Sequence, residues 1–235
     1  MPVYEIAKLK IRIEPVTPET ARRIEPYRTE SEDFDFDASV TAQEIDDYIA
    51  GSKTPCLPYL AEDALVLTNI SRELLRSHNG CFFHSSALEL DGEGYLFTAL
   101  SGTGKSTHAR NWRKVFGDRV TMINDDKPLI RRIGDEYYVC GTPWMGKSNI
   151  GSNRIAPIKA IFILKRGEEN TASLTTPAKQ IRQLMEATLF PRTREDMVKL
   201  LVFFDDLFNH VRLAELYCNQ DEDSARVAYE AVREP

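Results

Sequence analysis

The chain has 235 residues, of which 42% are hydrophobic and 28% charged, with a formal net charge of −6 at pH 7. That length and apolar share predict one large α/β domain, or one with a smaller extension, able to bury a real core. The negative balance argues against a sequence-independent nucleic-acid binder, which normally presents a basic face, and no apolar run approaches membrane-spanning length.

In chain order, residues 3–13 alternate apolar and polar side chains and predict one strand, ended by "EPVTP". The alternation lacks the apolar core of a signal peptide. With Cys56, Cys81, Cys140 and Cys218 scattered and without zinc spacing, it points to a cytoplasmic protein with reduced thiols. The acidic stretch "RTESEDFDFDASV" predicts an exposed connection or a hairpin. Residues 61–76 carry apolar side chains at helical spacing, and "SHNG" stops that helix. Two β runs come next, 81–90 and 94–99, joined at "DGEG". A helix is predicted over 105–116, then a short buried strand "RVTMIN" and a hairpin turning at Gly134–Asp135. "GTPWMGKSNIGSNR" (141–154) reads as a polar, glycine-rich loop and "IKAIFIL" as a buried strand. Helices over 176–189 and 193–209, the strand "VRLAELYC" and a helix over 223–232 complete the chain. Alternating strands and helices in the last two thirds favour a layered α/β fold.

The chemistry gathers in "GYLFTALSGTGKSTHARNW" (94–112), a strand, a small-residue turn and a helix. A polyphosphate needs many donors converging from one side, which closely packed backbone N–H groups provide. Glycine lets the chain curl around the anion, and the helix start aims further N–H groups and its dipole at the same charge. Ser101, Gly102, Thr103, Gly104, Lys105, Ser106 and Thr107 are therefore the expected nucleotide-binding residues. Lys105 supplies a cation for the outer phosphates and Ser106 a hydroxyl suited to Mg²⁺. The usual phosphate-loop (Walker A) pattern, G-x-x-x-x-G-K-[ST], is met except that Ala99 stands at the first glycine position. About twenty residues on, "VTMINDD" places Asp125 and Asp126 at the C-terminal end of a buried strand, where α/β sheets gather ligands. Adjacent carboxylates on extended backbone diverge, so one can face a metal and the other an acceptor.

Taken together, "FHSSALELDGEGYLFTALSGTGKST…VTMINDD" resembles the catalytic core of HPr kinase/phosphorylase and of ATP-dependent phosphoenolpyruvate carboxykinase. Both have a histidine strand, a hairpin, an "SG-x-GK-[ST]" loop and an aspartate pair in this order, and the resemblance covers about residues 81–131. It implies a mixed β-sheet P-loop kinase core over 77–235, with a small strand and helix extension over 1–76. By residue, it implies Lys105 as the phosphate lysine, Ser106 and Asp126 as metal ligands and Asp125 as general base on an acceptor hydroxyl. His84 would sit beside the transferred phosphoryl group or its metal. The carboxykinase's upstream arginine and lysine substrate ligands have no counterpart, and the HPr kinase's "RG-x-G" loop is replaced by "GTPWMGKSNIGSNR".

Within that replacement loop, Gly146, Lys147, Asn153 and Arg154 are candidate substrate contacts, though Lys147 and Arg154 read equally well as solvated loop charges. Trp144 reads as a packed loop anchor rather than a base-stacking ring. At most one of Arg131 and Arg132 can point at the site. His78, His108 and His210 read as surface or capping residues, and Asp205 and Asp206 as a solvated helix face. The expected protein is an ATP- and Mg²⁺-dependent phosphotransferase acting on a hydroxyl of a small protein, a peptide or a metabolite. The competing readings are a nucleotide-sensing module without catalysis and carboxykinase-like transfer to a carboxylic acid. No nucleic-acid or membrane partner is expected, and self-association into a homo-oligomer is compatible with the sequence.

Overall fold

Residues 3–13 form a hairpin rather than one strand: β1 (Val3–Ile6) pairs antiparallel with β2 (Leu9–Arg12). The computed structural model describes residues 1–100 and 102–233, and in it Ala7 and Lys8 make the turn, both at positive φ (54° and 57°). Two consecutive left-handed residues give the turn whose twist matches the flanking strands. The alternation continues straight through it, and neither residue is glycine or asparagine, so the sequence carried no turn signal.

Residues from the acidic stretch add β3 (Arg28–Thr29) and β4 (Phe36–Asp37), giving a four-stranded sheet in the order β3-β1-β2-β4. Three helices go with it: α1 (Pro18–Ile24), α2 (Ala42–Gly51) and α3 (Pro58–Ser77). Thr17 caps α1, and the buried Glu62 carboxylate accepts from the Val16 and Thr17 amides and the Thr17 hydroxyl, fixing α1 on α3. Val66, Leu67, Ile70 and Leu74 of α3 share one apolar cluster with Tyr4 and Ile11 of the hairpin and with Phe82, Leu129 and Trp144 further along the chain. Residues 1–76 are thus packed onto the rest of the chain. Arg76 clamps Asp196 through two hydrogen bonds of 2.7 Å each.

The second sheet has nine strands among the described residues: β5 (Gly80–Phe82), β6 (Ser86–Leu90), β7 (Glu93–Thr98), β8 (Val120–Asn124), β9 (Leu129–Ile133), β10 (Glu136–Cys140), β11 (Ile155–Arg166), β12 (Thr171–Leu174) and β13 (Arg212–Cys218). Their order is β5-β9-β10-β11-β7-β6-β8, with β13 also on β11 and β12 on β13. β11 runs parallel to β7 and β13 while the other pairs are antiparallel, so the sheet is mixed and the fold is α/β. The remaining helices are α4 (Lys105–Phe116), α5 (Pro177–Glu186), α6 (Arg194–His210) and α7 (Asp223–Arg233). Period-two alternation sorts the core. Tyr95, Phe97, Ala160, Phe162 and Leu164 meet Trp112 of α4 and Ala225 and Ala228 of α7. Leu96, Ile161 and Ile163 meet Leu184 of α5 and Phe203, Phe204 and Leu207 of α6 on the other face.

The predicted strand 81–90 is two strands on different partners, because the amides of residues 83–85 bond Pro128, Ala187 and Asp126 instead of a neighbouring strand. His108 is buried, a correction to the surface reading. It accepts from the Trp112 indole N–H at 2.9 Å and meets Ser224, and burial pulls it down to about 3, so it stays neutral. Asp205 is exposed and Asp206 partly so, the latter taking Arg132 at 2.6 Å and the Tyr137 hydroxyl. No helix among the described residues is long and apolar enough to cross a membrane.

Candidate functional site

β7 ends at Thr98 and α4 begins at Lys105, with Gly102 and Gly104 between them at φ 78° and 113°. Ser101, expected in this turn, lies outside the described residues. Gly104 occupies the N-cap position and provides no side-chain cap, so the first N–H groups of α4 keep their capacity for an anion. Gly102, Gly104, Lys105, Ser106 and Thr107 line a cleft of about 1220 Å³, whereas Thr103 is not in its lining. Lys105 is half-buried, its Nζ 3.4 Å from the Ala99 carbonyl. Burial lowers its pKa, and the charges of Asp126 and Asp125 act in the opposite direction.

β8 delivers the aspartate pair to the same cleft, and Asn124 shapes its exit. The Asn124 Oδ1 accepts from the Asp126 amide at 2.9 Å and the Lys127 amide at 2.7 Å, while its Nδ2 donates to the Thr142 carbonyl and hydroxyl at 3.0 Å each. Asp125 is buried and accepts the Ser86 hydroxyl at 2.6 Å on Oδ1. His84 Nδ1 lies 2.9 Å from the Asp126 carbonyl and 3.2 Å from its carboxylate, and Lys127 Nζ lies 2.9 Å from the other carboxylate oxygen. Burial works to raise the Asp126 pKa, but the hydrogen bonds and charges of His84 and Lys127 outweigh it and hold the carboxyl at about 2. Asp126 is therefore an anion throughout the neutral range.

The loop over 141–154 folds back on β8. The Ser152 amide bonds the Ile123 carbonyl at 3.0 Å, and Gly151 bridges Asn124. Its middle reaches the cleft through Trp144, Met145, Gly146, Lys147, Ser148 and Asn149. Gly146, at φ 65°, lies so close to Asp126 that an added Cβ would stand 2.8 Å from that residue's Cβ and 2.9 Å from its Cγ. Gly146→Ala is therefore expected to displace the Asp126 carboxylate and to cost about 1–3 kcal/mol of stability. Urea denaturation checks the second effect, and Mg²⁺ titration of nucleotide binding, weakened in the variant, checks the first. Asn153 and Arg154, expected among the substrate contacts, point elsewhere: Asn153 donates to the Glu5 carbonyl at 3.1 Å, and Arg154 meets Thr121 at 3.2 Å and Glu89 at 3.6 Å. Both tie the loop to its surroundings. Neither Arg131, bonded to the His78 and Ala7 carbonyls, nor Arg132, bonded to Asp206, lines the cleft.

Another wall of the cleft comes from the N-terminal segment: Glu19, Arg22 and Arg23 of α1, and Tyr59, Leu60 and Asp63 of α3. Asp63 is its hub, ion-paired with Arg23 and accepting the Trp144 indole at 3.0 Å and the Thr20 hydroxyl at 3.2 Å. The sequence placed none of these residues, nor Lys127, in the site. They belong to no motif, and tertiary contacts such as that of Asp63 with Trp144, 81 positions apart, bring the wall into place.

No family model matches the chain, and no curated protein does. Among solved structures, the Hpr(Ser) kinase/phosphatase from Coxiella burnetii is similar at 10% sequence identity and a TM-score of 0.37, over 65% of this chain and 93% of that one. That likeness is too distant to match the two sites residue by residue.

Proposed function

We propose that this cleft binds Mg²⁺·ATP and transfers its terminal phosphoryl group to a hydroxyl. One observation carries the reading. Lys105 and the start of α4 meet the Asp125–Asp126 pair across a single cleft, so a polyphosphate site and two carboxylates face the same space. Backbone N–H groups of the turn and α4 would hold the phosphates, and Lys105 would offset the charge developing on the transferred group. Asp125 would accept the proton of the attacking hydroxyl. Ser86 fixes one of its carboxylate oxygens and so sets the direction of the other. His84 would orient Asp126 through the Nδ1 contact.

Mg²⁺ is a hard cation that takes one or two protein oxygens and completes its shell with phosphate and water. The Asp126 carboxylate, ionised down to about pH 2, and the Ser106 hydroxyl fit that role. Such a nucleotide-borne site needs no dense protein cage, and no group of three or more His, Cys, Asp or Glu suited to a metal occurs among the described residues. When bound, the metal would neutralise phosphate charge.

The test is binding and then turnover. Saturating Mg²⁺·ATP is expected to raise the melting temperature by roughly 5–10 °C, the shift for ligand near a hundred times its Kd on a chain of this size. Phosphate transfer from labelled ATP to hydroxylated acceptors should accompany it. Absence of both the thermal shift and calorimetric heat with ATP, GTP and pyrophosphate would remove the reading.

A further inference from the structure

The part of the cleft lining contributed by α1 and α3 has a composition that the nucleotide does not account for. Five cations, Arg22, Arg23, Lys105, Lys127 and Lys147, line this cleft with four carboxylates, those of Glu19, Asp63, Asp125 and Asp126. Lys105 belongs to the phosphate turn and Lys127 is paired with Asp126. Arg22 and Arg23, in the last turn of α1, line the same cleft with Tyr59 and the half-exposed Leu60. The cleft volume of about 1220 Å³ also exceeds the roughly 300–1,000 Å³ that encloses one small ligand, leaving room beside a nucleotide.

Resting on the phosphotransferase reading, we propose that this wall is the acceptor subsite. Its occupant is a low-molecular-weight alcohol with a carboxylate or phosphate at the end remote from the reacting hydroxyl. Arg23 is the anchor. Its guanidinium is held by the buried Asp63 and lies 5.5 Å from the Tyr59 ring centre, so its position is set before any ligand arrives. A guanidinium carries five N–H donors in a rigid fork, and the pair with Asp63 uses part of that fork. The rest suits a planar carboxylate or a phosphate. Arg22, whose side chain is 75% exposed and bonded to the Pro18 carbonyl at 3.2 Å and to Glu19 at 3.4 Å, supplies a second charge at the surface. Tyr59 and Leu60 offer apolar contact for a short carbon skeleton.

The anchor is also built into the reaction end of the cleft. Asp63 holds Arg23 on one side and the Trp144 indole on the other, and two residues beyond Trp144 the Gly146 backbone lies against Asp126. An anion seated on Arg23 is thus registered, through Asp63 and Trp144, with the carboxylates at the phosphoryl end. Side chains of α1 and α3 lining the same cleft as the phosphate turn favour an acceptor small enough to enter that cleft over a serine borne on a folded protein.

The experiment uses three probes that share one skeleton, namely glycerol, glycerate and glycerol 3-phosphate, each with Mg²⁺·ATP and the 235-residue chain. Glycerate or glycerol 3-phosphate should be phosphorylated at least tenfold more efficiently than glycerol, and which of the two prevails tells carboxylate from phosphate recognition. Arg23→Gln and, separately, the exposed Arg22→Gln should raise the KM for the charged probe about 10- to 100-fold, the worth of one charged hydrogen bond, while ATP affinity by calorimetry changes less than twofold. Near-equal use of all three probes overturns the proposal. So does failure of all three, whether or not a protein or peptide acceptor is phosphorylated, and so do arginine variants that weaken ATP binding instead. Failure of the wild type to bind Mg²⁺·ATP would count against the phosphotransferase reading itself, a separate result.

Discussion

Lys105→Ala is expected to weaken Mg²⁺·ATP binding by about 10- to 100-fold while leaving the fold intact, a range set by the loss of one charge-assisted contact to phosphate. Its only hydrogen bond among the described residues is a 3.4 Å contact to the Ala99 carbonyl, so it does little to hold the turn in place. Its ammonium is half-buried, and burial lowers its pKa. A cation kept partly desolvated beside two carboxylates, without a close structural partner, costs stability unless a ligand repays it. The variant should therefore unfold at the same denaturant concentration as the wild type, or at a slightly higher one. Calorimetry with the ATP analogue AMP-PNP and Mg²⁺ measures the affinity. Equal affinities in the two proteins would mean that the turn before α4 is a helix start and no phosphate site.

What the sequence made legible at this site were the local features. A strand leading into a glycine turn and a helix is written in consecutive residues, and so is a buried strand ending in two acids. Helix α4 over 105–116 and the hairpin turning at Gly134–Asp135 stand where they were expected, because each is specified by neighbours within a few positions. The errors share a different cause. The break at residues 83–85 is dictated by backbone bonds to Asp126, Pro128 and Ala187, and nothing in "CFFHSSALEL" announces them. Arg154 had the chemistry of a substrate contact, but Glu89 and Thr121, both remote in sequence, claim it first. The N-terminal wall was invisible for the same reason, since Arg23 and Tyr59 acquire meaning only when Asp63 meets Trp144. Charge type can be read from a chain, whereas the partner that satisfies or frees a charge is a property of the fold.

Asp125→Asn is expected to lower kcat by roughly 10²–10⁴, the usual contribution of a positioned general base, while nucleotide affinity stays within a few-fold of wild type. The substitution keeps the size and planar shape of the side chain, and its amide oxygen can still accept the Ser86 hydroxyl that now lies 2.6 Å from Asp125 Oδ1. What is lost is the ability to take a proton. Asp126, with His84 and Lys127 around it, cannot readily substitute: those neighbours hold its carboxyl at about 2, which makes it a poor proton acceptor near neutral pH. Ser86→Ala provides the control for positioning. It leaves the carboxylate in place but removes its fixed partner, so it should lower kcat by less than the Asn variant and leave nucleotide affinity unchanged. Single-turnover phosphate transfer, run with saturating Mg²⁺·ATP, separates the chemical step from product release. Wild-type turnover in Asp125→Asn would move the base elsewhere in the cleft. A wild-type protein that binds Mg²⁺·ATP tightly yet transfers its phosphate to no acceptor, water included, would instead be a nucleotide sensor, with the buried Asp125–Ser86 pair serving to shape the cleft.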